Sequence, residues 1–105
     1  ITDYTESIRL NPEFADGYGN RGWAYFRTGE YDKAITDLTE AIRLDPNYTL
    51  AYYNRGLACE EMGDLDDALA DYDEAIRLDP GYEDGAARKR FLDLLEVLGA
   101  DLFWR

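Results

Sequence analysis

The sequence predicts an all-α fold, a solenoid of antiparallel helix pairs closed at its C-terminal end by a capping helix. Three observations predict it. The chain repeats at a period of 34 residues, small and apolar residues recur at helical spacing within each period, and glycine and proline fall at fixed places between the helical stretches. Aligned on that period, Ala15–Tyr48 and Thr49–Tyr82 share 17 of 34 residues, including Tyr18/Tyr52, Asn20/Asn54, Arg21/Arg55, Gly22/Gly56, Ala34/Ala68, Ala41/Ala75 and Pro46/Pro80. Units of this kind bury their apolar faces against their neighbours, so two alone hold little core.

The elements follow in order. Residues 1–14 match Ile35–Tyr48 at 9 of 14 positions and read as the second helix of a preceding repeat, which makes the chain a piece of something longer. Residues 15–48 and 49–82 are the two repeats. In the first, Tyr18, Arg21, Gly22 and Tyr25 mark one face of a helix, and Ala34, Ile35, Leu38, Ala41 and Ile42 mark a face of a second. Gly29 and Gly63 separate the paired helices, because glycine tolerates the left-handed conformation that ends a helix. Asp64 is placed to cap the helix that follows, with Asp67 three residues on. Pro46 and Pro80 end the second helix, since proline has no N–H to donate. Helices are expected near Ile1–Leu10, Ala15–Thr28, Tyr31–Leu44, Tyr48–Met62, Leu65–Leu78 and Glu83–Leu98. Gly22 and Gly56 should sit where helices cross closely.

Period, glycine, alanine and proline together resemble the tetratricopeptide-repeat family. Tyr18, Gly22, Tyr25, Ala34, Leu38 and Pro46 match or conservatively replace its pattern, as do Tyr52, Gly56, Ala68, Tyr72 and Pro80. The resemblance covers most of residues 1–82. It implies a right-handed superhelix whose inner wall is formed by the first helix of each repeat, and a role in binding a peptide segment of another protein. By that analogy Trp23, Phe26 and Arg27 face a groove in one repeat, and Leu50, Tyr53, Asn54, Leu57, Glu60 and Glu61 in the next. Trp23 and Phe26 lie outside the repeat signature, so the fold does not require them. Asn20, Asn54 and Arg88 recur at 34-residue intervals. They are placed either to bond a ligand backbone or, in the case of the asparagines, to bond neighbouring helices.

One subtype of the family grips the C-terminal carboxylate of chaperone peptides with Lys, Asn and Arg. Asn54 and Arg88 stand at two of those places, but Gly19, Trp23 and Asp84 stand where two lysines and an asparagine would be. With most of the positive charge missing, that reading is set aside. Arg21 and Arg55 depart from the family differently, standing where leucine is usual. Buried in a helix interface, each needs an acidic partner. Within a repeat these would be Asp37 and Asp71. Across repeats, Arg21 would meet Asp3, Arg55 would meet Asp37, and Lys89 would meet Asp71. The second scheme leaves no member alone and is the expectation.

Charge narrows the partners. Eleven Lys and Arg stand against 23 Asp and Glu, for a net charge of −12. Such a chain repels phosphate backbones and anionic membrane surfaces, so neither nucleic acid nor membrane is expected as a partner. A polypeptide with apolar anchors and some Lys or Arg fits better. No histidine is present, and Cys59 is the single cysteine, so no histidine-activated nucleophile and no soft metal site can be assembled. The acidic run from Asp64 to Glu74 is not an EF-hand loop: counted from Asp64, its fifth and sixth positions are Ala68 and Leu69. No cofactor and no catalytic residue are expected. Cys59 reads as a small buried hydrophobe.

Residues 83–105 leave the repeat. Glu83–Val97 matches Thr49–Gly63 at no position, and the 34-residue period puts Arg90 in the place of Gly22 and Gly56, where its bulk would block a close crossing. A lone capping helix is expected. Ala87, Phe91, Leu94, Leu95 and Leu98 give it a second apolar set, Gly99 should break it, and Leu102, Phe103 and Trp104 should fold back on it or dock into the groove of a second copy. Self-association as a homodimer is therefore the alternative to peptide binding.

Overall fold

The computed structural model describes the backbone of residues 2–103 and the side chains of residues 3–99. Its elements are α1 (Thr2–Leu10), α2 (Ala15–Arg27), α3 (Tyr31–Leu44), α4 (Thr49–Glu61), α5 (Leu65–Leu78), a short 3₁₀ turn (Tyr82–Gly85) and α6 (Ala86–Phe103). No strand occurs among the described residues, and the molecule is an all-α helical solenoid 52 Å long and 25 × 21 Å across. Each helix packs on the one before it, and α2 also touches α4, so the first helices of the two repeats share one wall.

Close crossings hold the pairs together. A Cβ on Gly22 would lie 2.8 Å from Leu38 Cγ, and one on Gly56 would lie 2.6 Å from Tyr72 Cε1. Leu38 and Tyr72 are the largest fully buried side chains. Around them Ala34, Ala41, Ala51 and Ala58 form one cluster, and Leu57, Cys59, Ala68 and Leu94 a second. Burial pushes the Cys59 thiol up to about 11, which keeps it protonated and inert.

The turns inside the repeats are closed by backbone. Gly29 and Gly63 take φ of 81° and 82°, the Gly63 N–H donates to Glu60 O, and the Asp64 N–H donates to Cys59 O at 2.9 Å. These bonds fix Asp64 at φ −85°, ψ 71°, short of the extended backbone of a capping residue, and its side chain makes no cap hydrogen bond. The capping role expected for Asp64 is not realised.

The arginine pairing also differs from expectation. Arg21 grips Asp37 through two nitrogens at 2.6 and 2.8 Å, and Arg55 grips Asp71 at 2.9 and 2.8 Å. Both pairs lie within a repeat, and the scheme joining Arg21 to Asp3, Arg55 to Asp37 and Lys89 to Asp71 does not form. Two contacts explain this. Arg21 already occupies both oxygens of Asp37, and the residue each arginine meets on the preceding helix is a threonine: Arg21 Nη1 donates to Thr5 Oγ1 at 3.3 Å and Arg55 Nη1 to Thr39 Oγ1 at 3.2 Å. Each guanidinium thus ties three helices, a carboxylate on one side and a hydroxyl on the other.

The capping helix begins late and runs long. Glu83, Asp84 and Gly85 all take left-handed backbone, with φ of 50°, 57° and 80°. That turn sets α6 back by two residues. A shift of 36 instead of 34 now matches buried with buried: Ala51 with Ala87, and Ala58 with Leu94. The place of Gly22 and Gly56 therefore goes to Leu92, not to Arg90, and Arg90 takes the place of Asn54. Gly99 does not break α6, which continues to Phe103; with φ outside the left-handed region it costs the helix only about 1 kcal/mol. A chain that stays helical past Leu98 does not fold back there, and the side chains of Leu102, Phe103 and Trp104 lie outside the described residues.

Candidate functional site

The wall shared by α2, α4 and the start of α6 is concave. It encloses a groove of about 560 Å³ lined by Asn20, Trp23, Phe26, Leu50, Tyr53, Asn54, Leu57, Glu61, Tyr82, Glu83, Ala86 and Arg90. Its floor is aromatic. Trp23 and Phe26 stack at 5.4 Å with their planes 12° apart, and Tyr53 lies 5.6 Å from Tyr82 and 5.8 Å from Tyr72. Trp23 nonetheless keeps 39% of its surface exposed. Pairs of this geometry hold their rings in place and leave a face free for a partner.

The polar groups are few. Asn54 is buried to 5% exposure, makes no side-chain hydrogen bond among the described residues, and has no amide atom cut off from solvent. The residue lines the groove. Glu60 behind the wall accepts from the Tyr72 hydroxyl at 2.8 Å and from Arg90 Nη1 at 3.4 Å. Burial and this carboxylate push the Tyr72 hydroxyl well above its ordinary range, so it remains a donor. Arg90 is the one cation among the lining residues and is already paired, whereas Glu61 and Glu83 form no salt bridge among the described residues.

Of the residues singled out in the sequence, the groove gathers Asn20, Trp23, Phe26, Leu50, Tyr53, Asn54, Leu57 and Glu61. Arg27, in the last turn of α2, and Arg88 are exposed and outside the lining. Arg88 is displaced by the same two-residue setback that brings Arg90 in. Tyr82, Glu83, Ala86 and Arg90 were not foreseen. A signal for Tyr82 does exist. Tyr48 lies over Gly19, where a Cβ would be 2.8 Å from its hydroxyl, but one period later position 53 is tyrosine. Tyr82 therefore meets a ring instead of bare backbone and is held at the groove's edge. Of the apolar set on α6, Leu94 is buried in the core, Phe91 packs against it, Leu98 is half-buried, and Leu95 is exposed.

A family profile for the tetratricopeptide repeat matches residues 20–83, and a second with the same description matches residues 3–36. The chain belongs to the tetratricopeptide-repeat family. Solved tetratricopeptide-repeat structures superpose on it closely. The first such domain of Spaghetti (RPAP3), bound to the HSP90 peptide SRMEEVD, is 29% identical with a TM-score of 0.85, over 91% of this chain and 75% of that one. The Arabidopsis OM64 domain is 34% identical with a TM-score of 0.79, over 86% and 75%. The second domain of human RPAP3, solved in complex with the HSP70 peptide SGPTIEEVD, is 32% identical with a TM-score of 0.78, over 87% and 74%. No curated protein matches the chain. In this tetratricopeptide array the groove occupies the concave wall of the helix stack, and no helix among the described residues is long and apolar enough to cross a membrane.

Proposed function

We propose that the chain is an interaction scaffold whose groove holds an extended segment of a partner protein carrying apolar anchors and Lys or Arg. The observation that carries this reading is the pairing of an aromatic floor with two carboxylates, Glu61 and Glu83, that form no salt bridge among the described residues, while the lining's one cation, Arg90, is paired with Glu60. Apolar side chains of the ligand would rest against Trp23, Phe26, Tyr53 and Leu57, where exposed aromatic anchors supply most of the binding energy in interfaces of this kind. The free amide of Asn54 would bond the ligand's main chain. Lysine or arginine would meet Glu61 and Glu83, and this electrostatic attraction would speed association and fade with salt.

The likeness to domains solved with the HSP90 and HSP70 peptides supports peptide binding as the activity, and the residues of this groove favour a different ligand charge. Gly19, Trp23 and, with α6 set back by two residues, Ala86 stand where the carboxylate-gripping subtype has its lysines and asparagine, and Arg90 is already paired with Glu60. An acidic tail would meet carboxylates in place of ammonium groups. The reading requires no catalysis.

The test is a titration of the chain, with Trp104→Phe so that Trp23 alone reports, against the peptide SRMEEVD and a counterpart whose acidic residues are lysine. Tighter, salt-sensitive binding of the lysine peptide is expected, weakened when Glu61 and Glu83 are changed to Gln. Preferential binding of the acidic peptide would contradict the proposal.

A further inference from the structure

We infer that α6 is a dimerisation helix, pairing antiparallel with α6 of a second copy of this chain through Leu92 and Leu95. In α2 and α4 the face that carries Gly22 and Gly56 is covered by the next helix, α3 or α5. On α6 the same face carries Leu92, 51% exposed, and Leu95, 39% exposed, with no helix over it among the described residues. Leucine in place of glycine forbids the close crossing found inside the repeats. It suits a partner at the wider spacing at which leucine knobs interdigitate.

The spacing along this face is that of a two-helix seam. Arg88, Leu92, Leu95 and Gly99 follow one another at intervals of four, three and four residues, the alternation that keeps one stripe facing a partner helix. Gly99 adds room, because a Cβ there would meet nothing within 4 Å. An antiparallel pairing centred between Leu92 and Leu95 sets Leu92 against Leu95 of the second copy and the stem of Arg88 against its Gly99.

Charge selects both the occupant and the direction. Lys89 and Glu96 are seven residues apart and so lie on the same flank of the seam. Neither is in a salt bridge among the described residues. Antiparallel pairing brings Lys89 opposite Glu96 of the second copy and, by the twofold axis, Glu96 opposite its Lys89. A parallel pair would set Lys89 level with Lys89 and Glu96 level with Glu96. The surface is thus complementary to itself, which is what an isologous contact requires. Ala86 and Arg90, which line the groove, lie on the opposite side of α6, so two grooves stay open in the dimer.

Sedimentation velocity of the full chain over a range of concentrations gives the test. A reversible dimer is expected, and Leu92→Glu with Leu95→Glu should give a monomer with unchanged helical circular dichroism. Lys89→Glu and Glu96→Lys should each drive the chain toward monomer. The variant carrying both changes should dimerise again, and an equimolar mixture of the two single variants should form a heterodimer. A wild-type chain that stays monomeric at millimolar concentration would overturn the inference. So would a dimer indifferent to the leucine changes, or single variants that neither the double change nor mixing restores.

Discussion

Arg55→Met leaves the Asp71 carboxylate 5% exposed and without its cation. Burial already raises Asp71 above its ordinary 3.8, and the bond and charge of Arg55 hold that rise in check. Removing Arg55 raises it further. A carboxyl whose folded value exceeds its unfolded one is most stabilising when protonated, below the unfolded value, and stability is lost as pH rises through the folded value. Arg55→Met should therefore cost about 3 kcal/mol near neutral pH, with much of it regained as pH falls toward 3.8. Asp71→Asn leaves the Arg55 guanidinium, 23% exposed, with an amide acceptor in place of its carboxylate, and should cost about 2 kcal/mol at neutral pH. Urea unfolding at the two pH values checks both. That each arginine needs an acid was legible from its place in an apolar interface. Which acid was not, because Asp37 and Asp71 fit either scheme by spacing alone, and the choice fell to Thr5 and Thr39, which the sequence does not mark as hydrogen-bond acceptors.

At the scale of the helix, the crossings set what may change. Gly56→Ala should lower stability by about 1–3 kcal/mol, because Tyr72 is fully buried and cannot withdraw from a Cβ 2.6 Å away. The prediction runs against intrinsic preference, since alanine is the better helix former by about 1 kcal/mol. A raised unfolding midpoint would mean that the crossing is looser than described. Helices α2 to α5 were readable because period, glycine and proline all mark their ends. The register of α6 was not. It turns on left-handed backbone at Glu83 and Asp84, residue types that do not call for it, with Gly85 as the one local hint. Two residues gained there exchange Arg88 for Arg90 in the groove and Arg90 for Leu92 at the crossing position. An apolar capping helix was legible from composition; which of its faces stays open was decided by that turn.

Across the whole molecule, the net charge of −12 and the groove's own carboxylates act in the same direction. In the proposed function the long-range field would favour encounter with basic segments, Glu61 and Glu83 would receive their charges, and the rings of Trp23 and Tyr53 would offer the apolar contact. The aromatic floor was legible because Trp23 and Phe26 interrupt the repeat without serving it. The groove's far edge was not, because Tyr82 reaches it only through the loss of glycine at position 53. Selection of a random peptide library on the chain, with counter-selection on a Trp23→Ala, Tyr53→Ala variant, tests the central claim most directly. The account predicts enrichment of sequences that combine aliphatic or aromatic residues with Lys or Arg and lose their hold on the variant. Enrichment of acidic, carboxylate-ended sequences, or equal recovery on both proteins, would contradict it.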